Sequence, residues 1–227
     1  MHANYYQDSF TLQSVQRIQA DDRRVPSNAY VTQNFAEIDR IQDRDKNILI
    51  YHWQPSLDLQ SEIANLAMNE VPNFDEVLRD EEIDALPSRF THLPTVRLLT
   101  ELKPSIAKLR SICQAKRYRF TLGVVADQMC PLFHVDRIRL RLLMTVIGPG
   151  TEWLADRDVN RKGLGKGCNS KIVKAGSLVQ QLLPMQIGFL KGELFPYNLG
   201  RGIVHRSPAV SPKTSGRWFV RIDAVAD

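Results

Sequence analysis

His134, Asp136, His205 and Arg217 are the residues of this chain whose types and spacing suit chemistry. His134 and Asp136 are two positions apart, the separation at which side chains of a strand point to one face. His205 comes from a later segment, and Arg217 follows it by twelve positions. Two imidazoles and one carboxylate form the facial ligand set of an Fe(II) site, which leaves coordination positions open for substrate and oxygen. Arg217 begins the run Arg217-Trp218-Phe219-Val220-Arg221-Ile222, after the turn-forming Lys213-Thr214-Ser215-Gly216. Read as a hairpin with the segment around His205, this order brings Arg217 beside His205. A guanidinium there suits a two-pronged grip on a carboxylate. Arg221, four residues on and on the same face, is the second candidate for that role.

These residues need strands to carry them. The apolar run Asn47–Tyr51 reads as a strand stopped by Trp53-Gln54-Pro55. Ser56 is a helix N-cap, with Leu59, Ile63, Leu66 and Ala67 at helical spacing. An acidic helix is expected over Asp75–Ala85. Another is expected from about Pro104 to Lys116, with Pro104 in its first turn and Ile106, Leu109, Ile112 and Cys113 on one face. From Tyr118 the character turns aromatic and β-branched. Ile138, Leu140, Leu142, Met144 and Val146 alternate, and Gly148-Pro149-Gly150 turns the chain. Short apolar runs follow near 177–183, 186–190, 202–205 and 218–224. About seven to nine short strands at this spacing indicate a sandwich or jelly roll. The reading is therefore α+β. Residues 1–45 form a polar N-terminal arm, 46–117 a mainly helical buttress, and 118–227 a jelly-roll core.

The string His-x-Asp, a long gap, His-Arg-Ser-Pro and then Ser-Gly-Arg-Trp resembles the non-haem Fe(II), 2-oxoglutarate-dependent dioxygenase superfamily over roughly residues 118–225. That resemblance implies a double-stranded β-helix. It implies His134, Asp136 and His205 as iron ligands and Arg217 as the residue holding the distal carboxylate of 2-oxoglutarate. It also implies oxidative decarboxylation of 2-oxoglutarate to succinate, coupled to oxidation of an unidentified small-molecule or peptide substrate. The surroundings Cys130–Asp136 and Gly148–Leu154 resemble an uncharacterised bacterial family, a domain of unknown function whose members stand near zinc-responsive genes. A cupin-like metal-binding or partner-binding protein without turnover, with zinc as the metal, is the alternative.

Other constellations compete. Cys130 and Cys168 with His134 and His205 would make a Cys₂His₂ zinc set. The segment 157–174 carries Arg157, Arg161, Lys162, Lys166, Lys171 and Lys174 among Gly163, Gly165 and Gly167. Its spacing does not fit a P-loop. It reads as a solvated basic loop, or else as a lid attracting an anionic substrate. Arg139 and Arg141 share a face opposite Leu140 and Leu142; they either line the mouth of the site or face solvent, and solvent is the expectation. His52 and His92 read as structural histidines.

Composition bounds the rest. The chain has 227 residues, 43% of them hydrophobic, enough for one catalytic core with an N-terminal elaboration. The +5 net charge is spread over charges of both signs, so nucleic-acid binding is not expected. No apolar run is long enough for an expected membrane span, and the basic-then-apolar pattern of a secretory signal is not seen in MHANYYQDSF, so none is expected. Three cysteines form no disulfide framework, which fits a reducing cytoplasm.

Overall fold

The computed structural model describes residues 25–209 and 216–225. The first 24 residues of the expected arm and most of the expected 213–216 turn lie outside them. The main element is a seven-stranded sheet built from β1 (Ala29–Thr32), β2 (Ile48–His52), β3 (Phe74–Arg79), β4 (Arg117–Val125), β5 (Leu140–Ile147), β8 (Gln186–Lys191) and β10 (Arg217–Ala224). Its order is β1-β2-β8-β5-β10-β4-β3. A smaller sheet joins β6 (Glu152–Leu154), β7 (Val179–Gln181) and β9 (His205–Arg206) in the order β7-β6-β9. Two α-helices, α1 (Leu57–Ala64) and α2 (Leu93–Cys113), complete a mixed α+β architecture.

Strand alternation decides which face meets which partner. On β5, Leu140, Leu142, Met144 and Val146 join the large apolar core with α2; on β10, Trp218, Val220, Ile222 and Ala224 do the same. The intervening residues of the same strands point to the other face. There Leu143 and Phe219 pack with Trp153 of the small sheet and with Ile203. The main sheet is thus covered by helices on one side and by the small sheet on the other. Arg217, Arg221 and Asp223 share the second face with Phe219 by strand periodicity.

Several expectations are corrected. Residues 25–45 are not a loose arm: β1 pairs in parallel with β2, and the 3₁₀ segment Phe35–Gln42 buries Ile38 and Ile41 completely. Asp75 lies in a strand rather than an acidic helix, because β3 pairs with β4 and Arg119 grips the Asp75 carboxylate at 2.8 and 2.6 Å. A 3₁₀ segment, Asp80–Arg89, follows. The helix expected from Pro104 starts eleven residues earlier, at Leu93, and carries Pro104 in its interior on an exposed face. Pro94, in its first turn, takes the position that Pro104 was expected to hold. Three strands of the main sheet precede residue 118, so the sheet crosses the expected 117/118 division. Ser56 does cap α1, its Oγ accepting from the Leu59 N–H at 3.2 Å.

Candidate metal centre

His134 and His205 are cross-strand partners. Each backbone N–H donates to the other's carbonyl at 3.0 Å, so both side chains project to the same face and the ring centroids lie 4.6 Å apart. Asp136 follows two residues along the same segment. That segment makes a single bridge at His134 and is not a regular strand. One ligand atom from each of His134, Asp136 and His205 lies within 4.8 Å of the others. Asp136 stands 3.7 Å from His134 Nε2 and 3.2 Å from His205 Nε2.

The backbone holds this geometry from outside. Glu193 N–H donates to the Asp136 carbonyl at 2.9 Å, and Gly192 N–H to that of Arg139 at 3.0 Å. A Cβ on Gly192 would lie 2.2 Å from the Ile138 oxygen and 2.8 Å from that of Asp136, so only glycine allows the approach. Asn169 bonds both sides of Leu132, accepting from Phe133 N–H at 2.8 Å and donating to the Pro131 carbonyl at 2.9 Å.

The tautomers follow from the partners. His134 Nδ1 lies 2.9 Å from the Leu132 carbonyl, and His205 Nδ1 lies 3.2 Å from that of Ile203. A carbonyl only accepts, so both Nδ1 atoms carry protons. His205 Nε2 stands between Arg141 Nη1 at 3.1 Å and an Asp136 oxygen at 3.2 Å. Burial, reinforced by His205, pushes His134 below the usual imidazole range and leaves it neutral at pH 7. For Asp136 burial opposes ionisation, but the His205 contact and the Arg141 charge overcome it and hold the carboxyl well below its usual range. Ligand atoms of two imidazoles and a carboxylate converge. This donor set fits a borderline divalent cation, and the carbonyl bonds to Nδ1 are the outer support that metal-binding histidines require.

The facing sheet supplies cations. Arg141 is buried, donates to Asp223 at 2.6 and 2.9 Å, and also touches Asp136 at 2.5 Å. The expectation that it faces solvent is wrong: the face opposite Leu140 and Leu142 is the inner face of the site. Arg139 precedes β5 and donates to the Cys113 carbonyl at 3.0 Å. Arg217 is 3% exposed and donates to Thr145 Oγ1 at 3.1 Å and Thr151 Oγ1 at 2.8 Å. No carboxylate among the described residues pairs with it. Burial pushes its guanidinium down to about 10, still charged at neutral pH. Arg221 donates to Thr121 Oγ1 at 2.9 Å, while its buried Nε lacks a hydrogen-bond partner.

His134, Asp136, His205, Arg141, Arg217 and Arg221 line one cavity of about 110 Å³. Arg217 does not reach it by the expected hairpin. β9 belongs to the small sheet and β10 to the main one, so Arg217 and His205 face each other across the layers. Cys130 also lines the cavity, but no cysteine joins the three-residue cluster, and Cys168 bonds Ser170 on the 157–174 loop. The Cys₂His₂ set is not assembled. His52 lies 3.2 Å from the Gln186 amide, and His92 bonds Thr95 at 2.8 Å; neither enters the cluster.

Asp223 is the residue that sequence reasoning passes over. Its signal is β10 itself: one face is wholly apolar, while Arg217, Arg221 and Asp223 repeat on the other. In a strand flanked by neighbours on both sides, such a face lines either solvent or a site.

Residues 32–223 match the family described as "Protein of unknown function (DUF1826)". No curated protein matches the sequence. Among solved structures, the "Putative oxygenase" from Shewanella oneidensis aligns with a TM-score of 0.50 at 10% identity, over 87% of this chain and 89% of that one. The dioxygenase for auxin oxidation from rice aligns with a TM-score of 0.47 at 16% identity, over 89% and 83%. JOX2, solved with 2OG, Fe and JA, aligns with a TM-score of 0.49 at 10% identity, over 89% and 77%. The fold is that of the Shewanella structure. Among the described residues, no helix is long and apolar enough to cross a membrane.

Proposed function

We propose that this chain, which belongs to the DUF1826 family of unknown function, is an Fe(II)- and 2-oxoglutarate-dependent oxygenase with a double-stranded β-helix core. His134, Asp136 and His205 would hold the iron, and Arg217 the far carboxylate of 2-oxoglutarate. The observation that carries the reading is the buried Arg217, which pairs with no carboxylate among the described residues and lines the same cavity as the convergent ligand atoms. A buried charge without a partner is strongly unfavourable, so its retention points to an anionic ligand.

The charge balance supports a dianion. Arg141, Arg206, Arg217 and Arg221 line the cavity. Asp136, Asp223 and Glu152 are the carboxylates that pair with them. The protein thus supplies one excess positive charge. A divalent cation raises that excess to three, and a dicarboxylate returns it to one. His134, Asp136 and His205 would hold an iron whose chemistry is the activation of O₂, the oxidant of both co-substrate and substrate. The protein's own groups do the rest. Thr145 and Thr151 fix the Arg217 fork, the Leu132 and Ile203 carbonyls fix the imidazole rings, and Trp153, Phe219 and Leu143 form a dry wall between the sheets.

Anaerobic Fe(II) with 2-oxoglutarate should give a visible charge-transfer band in the wild-type protein, and succinate should form in air without added substrate. Neither signal should appear in His134→Ala or Asp136→Ala. Wild-type protein that binds no Fe(II), or either variant turning over normally, would reject the assignment. The expected zinc alternative finds no specific support: no cysteine joins the cluster, and neither fold nor comparisons bear on zinc-responsive genes.

A further inference from the structure

The basic segment 157–174 is not a loose loop. Val159 bridges Val173, Asn160 N–H donates to the Ile172 carbonyl at 2.7 Å, and Lys174 N–H donates to that of Asp158 at 3.0 Å. A Cβ on Gly163 would lie 2.1 Å from the Lys171 oxygen, so glycine lets the two arms touch. Val159 and Ile172 are buried with Phe133, Leu154 and Val204, which roots the segment in the small sheet. The two arms frame an open bowl of about 410 Å³, lined by Lys162, Lys166, Lys171 and Lys174 and by no acidic residue.

The charge of this bowl is uncompensated. The segment carries six cations against Asp158 alone, an excess equal to the +5 net charge of the whole chain. Arg161 is engaged by Asp156 at 2.8 Å. Among the described residues, none of the four lysines pairs with a carboxylate; Lys174 Nζ donates to the Arg157 carbonyl at 2.9 Å. Four like charges held on a rigid frame repel one another, and a multiply charged anion relieves that repulsion. Lysine ammonium groups are compact point charges suited to phosphate oxygens, whereas planar carboxylate recognition favours arginine. No aromatic side chain lines the bowl, so it offers no platform for stacking a base.

We infer that the Lys162–Lys174 bowl is a binding site for a compact polyphosphate group, recognised by its phosphates alone. The site needs no metal and stands independently of the oxygenase reading. Inorganic tripolyphosphate is the probe, titrated calorimetrically into metal-free full-length protein. Binding in the micromolar range at low salt is expected, falling steeply as KCl is raised. Lys166→Gln combined with Lys171→Gln should weaken it at least about tenfold, while the thermal midpoint and Co(II) binding stay at wild-type values. All four lysines are exposed, so these changes leave the core untouched. The inference is overturned if tripolyphosphate does not bind, or if the double variant binds it as the wild type does. A single-stranded DNA oligomer binding more tightly through the same lysines would overturn it too, marking the bowl as a nucleic-acid surface.

Discussion

Arg217 and His205 sit on different sheets and line one cavity, although only eleven residues separate them in the chain. Burial of the Arg217 charge is unfavourable in the free protein and useful only when an anion arrives. Arg217→Met should therefore raise the thermal midpoint, by the equivalent of about 1–3 kcal/mol. The same change should weaken 2-oxoglutarate binding by about 100-fold, since a charged two-pronged contact is lost. Paired melting and calorimetric titrations check both halves. A variant that is destabilised and binds normally would contradict this role.

Asp223 neutralises Arg141 from the strand opposite Asp136. Asp223→Ala removes the two-pronged partner of a buried guanidinium, leaving it Asp136, and should destabilise the fold by about 3 kcal/mol in urea unfolding. Divalent-metal affinity should fall as well, because Arg141, which already touches Asp136, then has no competing carboxylate in Asp223 and holds the Asp136 oxygens more tightly against the metal. An unchanged unfolding midpoint would show that the Arg141–Asp223 pair contributes little.

Gly192 lets the segment after β8 lie against the backbone of Asp136. Gly192→Ala should destabilise by about 2 kcal/mol through overpacking. It should also reduce Co(II) affinity, measured by calorimetry, because the displaced atoms include the Asp136 carbonyl. A variant with reduced stability and wild-type Co(II) affinity would confine the role of Gly192 to packing.

Lys191 is buried, donates to the Asp43 carbonyl at 2.9 Å, and is pushed by burial down to about 8 from 10.5. Its folded-state value is depressed, so between pH 8 and 10.5 the unfolded chain binds more protons and stability rises with pH. The gain amounts to roughly 3 kcal/mol. Cys113 and Tyr118, both raised to about 12 by burial, act in the opposite sense above their unfolded values. The difference between wild type and Lys191→Met, followed in urea from pH 7 to 10.5, isolates the lysine. A pH-independent difference would contradict the shift.

Ile38 and Ile41 are fully buried although they lie in the polar N-terminal stretch. Ile41→Ala should lower stability by about 2–5 kcal/mol. A change within experimental error would mean that the 3₁₀ segment packs only weakly on the sheet.

The sequence alone determined the local facts. The residue types and spacing singled out His134 and Asp136, Ser56 set the start of α1, and the alternation of β5 and β10 separated apolar from charged faces. These follow from backbone periodicity and capping, which act within a few residues. Tertiary structure decided what the faces meet. The small sheet lying across the main one turned Arg141 from an expected surface residue into the inner wall of the site, and it replaced a hairpin with a face-to-face approach of Arg217 and His205. Pairing with β4 made a strand of an acidic stretch that reads as a helix, because ladder hydrogen bonds and the Arg119–Asp75 pair outweigh weak local propensity. Contacts between residues far apart in the chain carry no short-range pattern, and such contacts brought the facing arginines to the ligand cluster.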